Sequence, residues 1–499
     1  MLVTLLPFTP ALAQDLVAPP ESRRAEVRPV ATEPTAGLRF LGVVDARATT
    51  SNVNTTNPLV NGQIVGTLGG TNSTTTDRDA GAWTEERVGA FFAYAPPLLS
   101  GRATLEAAFE IDFAFGDSSY GTGGNTGGGF GADQVNLQTR RLAARFNVLK
   151  GLDVVTGLQF VGDGAQDPST ARPDDLLRSG GRLMFWGSEA AGITAYAKLA
   201  DDAVRLRAGG YTLYELGFSD GDDATLFMAD AEYAPAYAMR IGIHVWYLRD
   251  RSAGLGGLLG VGPTSSLSEL QGGPRLDYRA DDTQPFPDAF ADLSWVVIDG
   301  GYNRGLDMGP FGITGLAAGN VGRVYLTGLR DRAVTGALVD GEVRWRFASG
   351  KGSILRAEAL WASGDDARDD QYTGVITGNS YGIAGAVHAT HGCYLLFPDV
   401  GAINRQSAIV YDVSGAGRGL FAFTGGVAYD ALPNRVTVGV GGGHARNGQG
   451  DTLGTEVNGR IVATPLPLLT VGVHAGTVIG SSLLENPWTA FVALDWLVI

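Results

Sequence analysis

The sequence predicts an all-β protein, a transmembrane antiparallel up-and-down β-barrel of about 18 strands (range about 16 to 20). Three observations predict this fold: apolar and polar residues alternate strictly in many segments, this unit recurs along most of the chain, and short and long connections take turns. Successive side chains of a strand point to opposite faces, so alternation gives each strand one apolar and one charged face. In a membrane barrel these faces meet lipid and water.

The clearest unit is a hairpin at residues 335–364. In its first arm Val343 and Trp345 share one face, and Glu342 and Arg344 share the other. The second arm repeats the pattern after a short connection. An ordinary soluble sheet also alternates, so the prediction depends on the recurrence of the hairpin at membrane-spanning length.

The connections predict the direction of the strands. Short connections are expected at 96–101, 149–151, 189–192, 234–236, 348–353, 431–434 and 464–467, and long ones at 49–82, 116–133, 162–179, 201–224, 249–288 and 364–415. Bacterial barrels have short periplasmic turns and longer external loops, so odd-numbered strands should run outward. A Gly-rich stretch at 301–329 blurs one turn, and the alternating segment that ends the chain should close the barrel.

Composition excludes several classes of protein. The 499 residues contain no run of roughly 18 apolar residues, which excludes spanning helices. A net charge of −15 argues against a nucleic-acid partner. The single cysteine, Cys393, excludes an intramolecular disulfide framework.

The N-terminal region predicts export to the outer membrane of a Gram-negative (diderm) bacterium. Residues 1–13 read as a signal peptide that ends in Ala11-Leu12-Ala13, although no Lys or Arg precedes the apolar run, which suggests a true start upstream of Met1. A buried N-terminal strand is the alternative. Residues 14–37 read as a Pro-rich periplasmic lead-in, and residues 38–499 as the barrel.

The charged faces predict a water-filled lumen whose walls select the solute. The candidate pore-lining residues are Arg87, Arg102, Glu106, Glu110, Asp112, Arg141, Arg145, Asp230, Glu232, Arg240, Asp340, Glu342, Arg344, Arg346, Arg356, Glu358, Glu456 and Arg460. Glu85 and Asp292 fall in the same inward set. The alternative for each residue is a cross-strand ion pair that stiffens the wall, such as Glu342 with Arg356.

No motif points to catalysis, a metal or a cofactor. Acidic pairs occur in the expected loops, but no calcium-loop spacing accompanies them, so solvated loop charge is favoured. The group His388-x-x-His391-x-Cys393 lacks a fourth zinc ligand at a recognised spacing. Phosphate-binding and nucleophile motifs are absent from the sequence. We expect no enzyme; a barrel hydrolase would need one of the scattered histidines beside a Ser and an Asp.

Two segments, residues 192–199 and 394–420, carry a resemblance to the alginate-export porins of Gram-negative outer membranes. The resemblance implies passive diffusion of an anionic polysaccharide through a pore lined by arginines. It would give that role to Arg141, Arg145, Arg344 and Arg346. Acids are at least as frequent as arginines in the inward set, which argues against strong anion selectivity.

The leading function is therefore an outer-membrane channel for passive passage of a polar or charged solute, with export of a polysaccharide or another anion as the finer expectation. The alternative is a receptor, adhesin or surface scaffold that acts through its external loops with a closed lumen. Loops 249–288 and 364–415 discriminate the two by folding inward or projecting outward. Expected partners are outer-membrane lipid and lipopolysaccharide, the barrel-assembly machinery, and a small polar solute or polysaccharide.

Overall fold

A computed structural model describes most of the barrel. It covers residues 37–55, 74–99, 101–115, 136–163, 182–215, 221, 223–253, 288–303, 306, 308–348, 353–365, 371–379, 393–397, 399, 403, 408–410 and 417–498. The predicted signal peptide and most of the lead-in lie outside these residues. Within them, no helix is long and apolar enough to cross a membrane.

One sheet of twenty strands forms the molecule. Eighteen of them are long: β1 Gly37–Thr55, β2 Thr74–Ala95, β3 Ala103–Phe115, β4 Asn136–Leu149, β5 Leu152–Asp163, β6 Arg182–Leu199, β7 Val204–Tyr214, β8 Ala224–Ala236, β9 Met239–Asp250, β10 Ala289–Tyr302, β11 Phe311–Leu326, β12 Arg332–Arg346, β13 Ile354–Ala362, β16 Leu420–Leu432, β17 Val436–Asn447, β18 Thr452–Leu466, β19 Leu469–Ile479 and β20 Trp488–Val498. Two are short, β14 Gln371–Tyr372 and β15 Gly378–Asn379. A 3-10 turn, Pro97–Leu99, follows β2.

The long strands close into a ring of antiparallel neighbours. β1 pairs with β2 on one side and with β20 on the other, the latter from Gly42↔Val498 to Ser51↔Thr489. β13 pairs directly with β16, so the two short strands between them in sequence are not part of the wall. The predicted closed barrel of about 18 strands is confirmed.

The outward faces are apolar and exposed. On the hairpin of β12 and β13, Val339, Trp345, Leu355 and Trp361 are all 40–50% exposed. The inward residues between them are buried or half-buried. Exposed apolar side chains over an entire wall are stable in lipid, so this is the face that meets the membrane.

Aromatic side chains stand at both ends of this outward face. Near the short-turn end they are Tyr94, Tyr233, Tyr302, Trp345, Tyr429 and Trp496; near the long-loop end they are Phe227, Tyr247, Tyr325, Trp361 and Phe421. Two such girdles mark the two membrane–water boundaries of a transmembrane barrel.

Two predicted connections are wrong, and the loop predicted at 49–82 is too long, because β1 continues to Thr55 and β2 begins at Thr74. Residues 189–192 form no turn, because β6 runs unbroken through them and pairs with β7. The predicted long loop at 201–224 contains β7, and the real turn is short, with Ala200, Asp201 and Asp202 all at positive φ. Only glycine fits at position 192 of this strand, because a Cβ there would lie 2.2 Å from the carbonyl oxygen of Gly210.

Candidate functional site

The inward faces of β6 to β10 are largely apolar toward their external ends, which the alternation pattern did not predict. Trp186, Trp246 and Trp295 point inward and are fully buried. The ring centroid of Trp186 lies 5.5 Å from each of the other two rings. A dry aromatic cluster therefore fills the lumen along this part of the wall.

The described residues of the segment between β13 and β16 fold into the lumen and complete this cluster. Its Val375, Ile376 and Phe397 are buried in the same core. Trp295 Nε1 donates to the carbonyl oxygen of Ile376 at 2.8 Å, and the Ile376 amide donates to Oδ1 of Asn320 at 3.0 Å. The long loop predicted at 364–415 is thus inward in its described part.

Glu456 on β18 holds the same segment to the opposite side of the barrel. Its carboxylate accepts hydrogen bonds from the backbone amides of Tyr394, Leu395 and Leu396 at 2.6, 2.9 and 2.6 Å. Sequence analysis assigned Glu456 to the pore lining; its side chain instead serves the segment that crosses the lumen. Charge-assisted hydrogen bonds of this kind are strong where water is excluded.

Two further contacts fix residues 393–399 of this segment. Arg47 on β1 pairs with Asp399 at 2.6 Å and lies 3.5 Å above the ring of Phe491. Burial raises the pKa of Tyr394 to about 12, so its hydroxyl stays protonated and can donate to Nδ1 of His474 at 2.9 Å. Sequence analysis missed Arg47 and Asp399, since a contact across the lumen leaves no local pattern.

Cys393 lies at the start of this fixed stretch. Its side chain is buried, and burial raises the pKa of the thiol well above its usual range. His388 and His391, which form a group with Cys393 in sequence, lie outside the described residues. So do most of the acidic loop pairs.

On β2 to β4 the predicted inward charges pair with one another. Arg87 contacts Glu110 at 3.1 Å. Arg141 and Arg145 both contact Glu106, through their Nε atoms at 2.6 and 2.9 Å. These ions neutralise each other, as the alternative of a stiffened wall supposed.

Arg140 was not predicted to join this group. It contacts Glu110 at 2.7 Å and Glu189 at 2.9 Å. The pairing of β3 with β4 shifts register beside it, between Ala108↔Arg141 and Phe109↔Thr139. A bulge redirects a side chain and breaks the alternation from which the inward set was chosen.

A second charge network is buried beside the tryptophans. Arg207 contacts Asp230 at 2.5 Å, and both side chains are nearly inaccessible. His244 bridges two carboxylates, with Nδ1 2.9 Å from Asp230 and Nε2 3.1 Å from Asp299. Both ring nitrogens are therefore engaged by carboxylates. Near the short-turn end, Arg240 lies 3.6 Å from Glu232.

The third charged region, on β12, β13 and β18, differs in exposure. Glu342 accepts contacts from Arg344 and Arg356, each at 3.1 Å. The acids of this region are at most 7% exposed: Asp340, Glu342, Glu358 and Glu456. The Arg356 side chain is 31% exposed, and Arg460 is exposed.

Arg356 and Arg460 line a cavity of about 180 Å³. Thr437 and Asn458 add polar groups to its wall, and glycines of β16 and β17 complete it. Gly439 makes room for Arg460, because a Cβ there would lie 3.1 Å from the arginine Nε. Among the described residues no carboxylate forms an ion pair with Arg460.

Two residues of the predicted inward set lie elsewhere. Arg102 is exposed in the short turn before β3, outside the wall. Asp292 lies on the outward face of β10 with the exposed Val296 and Ile298. The prediction placed Asp292 inward because residues 295–298 are apolar on both faces and so do not show which face of the strand points to the lumen. The side chain of Asp112 lies outside the described part, and Arg346 donates to the carbonyl oxygen of Leu306 at 2.8 Å.

Comparison with known proteins gives structural neighbours alone. No family model and no curated protein matches the chain. Solved structures that resemble it include OpdK of Pseudomonas aeruginosa with vanillate, at 12% identity, TM-score 0.46, and coverage of 92% of this chain and 98% of that one. OccK2 (OpdF) of the same organism with glucuronate is 11% identical, with a TM-score of 0.46 and coverage of 92% of this chain and 96% of that one. A BenF-like porin of Pseudomonas fluorescens Pf-5 is 11% identical, with a TM-score of 0.46 and coverage of 92% of this chain and 98% of that one.

The strand registers, the apolar outward face and the aromatic girdles of this chain decide where it resides. It is an outer-membrane β-barrel. Its lumen is packed along β6 to β10, partly filled by the described residues between β13 and β16, and lined by Arg356 of β13 and Arg460 of β18.

Proposed function

We propose that this barrel is a channel that lets a small polar solute diffuse across the outer membrane. The observation that carries the proposal is the cavity on the inward side of β13 and β16 to β18, into which Arg356 and Arg460 bring positive charge. A channel needs a wetted path with weak and distributed polar contacts, and it needs no covalent chemistry.

The exposures favour anions over cations as solutes. Acids outnumber bases in the whole chain, but those near the cavity are buried and engaged: Glu342 with two arginines and Glu456 with three amides. A carboxylate that already pairs with a neighbour contributes little to the field that a passing ion meets. Arg460 is exposed in the cavity and forms no ion pair among the described residues, so its charge acts on the solute, and Arg356 adds a partly exposed charge beside it.

The finer expectation from the alginate-export resemblance is an anionic polysaccharide. The inward segment narrows the lumen, which favours a small anion over a polymer. We therefore propose a small organic anion as the solute class. Passage of both classes can be compared directly by liposome swelling with monomeric and polymeric uronates.

The first experiment is single-channel conductance of the refolded full-length protein in a planar bilayer, with the reversal potential measured under a salt gradient. Steady conductance with an anion-selective reversal potential is the expected result. The double variant R356Q/R460Q should conduct with a reversal potential shifted toward cation selectivity, because it removes the exposed positive charge of the cavity. R102Q/R435Q, two exposed arginines of periplasmic turns, is the matched control. A selectivity equal in wild type and R356Q/R460Q would contradict the role of the cavity.

The second candidate is a receptor or scaffold with a closed lumen. It is favoured by the aromatic cluster and the crossing segment, which together pack much of the interior. A correctly folded barrel without any conductance would support this candidate over the channel.

A further inference from the structure

The outward face of β9, β10 and β11 carries charge where the strands reach their external ends. Arg249, Asp292 and Arg323 lie side by side in the paired registers Asp292↔Arg249 and Asp292↔Arg323. β9 and β11 run toward the long-loop end, and β10 begins there. The three side chains therefore form one row on the membrane-facing surface, close to its external boundary.

The surroundings of this row change from lipid-like to polar along the strands. Ile243, Val245, Val296 and Val321 are exposed on the same outward face toward the membrane interior. Tyr247 is the outward residue just before Arg249 on β9. Its ring stacks with that of Phe227, with 6.5 Å between the ring centroids. An aromatic girdle marks the level of the lipid head groups, so the arginines stand at or just above that level.

The single acid of the row is already neutralised. Arg251 contacts both carboxylate oxygens of Asp292, at 3.0 and 2.8 Å, and the Tyr247 hydroxyl donates to Oδ1 at 2.7 Å. Arg323 lies 3.9 Å from Asp331, and both side chains are largely exposed, at 57% and 42%. Among the described residues Arg249 has no ion-pair partner. The row thus offers two accessible guanidinium groups.

We propose that Arg249 and Arg323 bind a phosphate of a phosphorylated glycolipid in the outer leaflet, the lipopolysaccharide. Guanidinium groups bind phosphate oxygens in a bidentate geometry, and the girdle places them where such phosphates lie. Arg251 and Tyr247 hold Asp292 away from the anion, so the carboxylate does not repel it. The acyl chains of the lipid would cover the apolar face below. This inference is independent of whether the lumen conducts.

The test is native mass spectrometry of the refolded, detergent-solubilised protein with diphosphoryl lipid A as the probe. The double variant R249Q/R323Q should bind it about thirty-fold more weakly than wild type, since each basic residue near an anionic lipid surface contributes about fivefold. R102Q/R435Q again removes two positive charges, but at the periplasmic end, and should bind like wild type. R249K/R323K keeps the charges and should lose less affinity than the glutamine variant.

Three outcomes would overturn the proposal. Equal binding by wild type and R249Q/R323Q, each with the same heat-modifiable folded band, would show that these arginines do not hold the lipid. Equal binding of dephosphorylated lipid A by wild type would show that acyl contacts alone suffice. Full displacement by millimolar inorganic phosphate would assign the site to the free ion.

Discussion

At the scale of single residues, Glu456 shows how alternation can place a side chain on a face without showing what it binds. Alternation puts it on the inward face, which the structure bears out. Its three amide partners belong to a segment about 60 residues earlier in the chain. Backbone amides carry no sequence signature, so this contact could not be read from residue types.

The accessibility of the buried Cys393 thiol measures how firmly Glu456 holds residues 394–396. The Glu456→Gln variant weakens hydrogen bonds to a charged acceptor that contribute about 1.5 to 3 kcal/mol each, so residues 393–396 should open more often. The labelling rate of Cys393 by a maleimide should rise about tenfold or more over wild type. Glu106→Gln, which removes a wall carboxylate that pairs with Arg141 and Arg145, is the control. Equal labelling rates in all three proteins would contradict the role of Glu456.

The buried pair of Arg207 and Asp230 makes a different prediction at the same scale. Asp230→Asn leaves the Arg207 guanidinium buried without its counter-ion, which costs about 3 to 5 kcal/mol. We expect a large fall in the free energy of unfolding, measured in urea with the protein in lipid vesicles. Asp331→Asn breaks an exposed pair with Arg323 and should change stability by at most about 1 kcal/mol. Similar values for the two variants would show that the buried pair is not special.

At the scale of elements, the predicted faces were correct where apolar and polar residues alternate regularly along the strand. The hairpin of β12 and β13 was predicted because its outward residues are uniformly apolar and its inward residues are charged near the turn. On β10 the predicted inward face of Asp292 was wrong, because Trp295 and Val297 are apolar although they point inward. Alternation predicts a face only where the lumen is wet.

The segment between β13 and β16 can be removed with little disturbance to the wall. Its ends meet, since the Asp365 amide donates to the carbonyl oxygen of Gly417 at 2.7 Å, and Ala362 pairs with Leu420. Replacing residues 366–416 by a short Gly–Ser linker should give a folded barrel with severalfold higher single-channel conductance, because the lumen loses its crossing segment. A conductance equal to that of wild type would show that this segment does not limit the path.

At the scale of the whole molecule, closure and strand number were predictable, and the packing of the interior was not. An even strand number, short turns at one end and outward apolar faces follow from the chemistry of a membrane. Whether a barrel of this size is empty or filled depends on contacts such as Trp295 with Ile376 and Arg47 with Asp399. These contacts join residues far apart in sequence. Only the structure therefore shows which of the predicted inward charges pair within the wall, which hold the inward segment and which line the cavity.

The ring of strands also imposes an order of events during biogenesis. β1 and β20 come from the two ends of the described chain, and their pairing closes the ring. Contacts between such distant residues carry a high entropic cost and form late. We expect residues 393–397 to enter the interior before this seam is sealed, since a sealed wall leaves only the mouths for entry. A variant that slows the capture of this segment by Glu456 would then be expected to delay maturation of the barrel, even if the finished protein were equally stable.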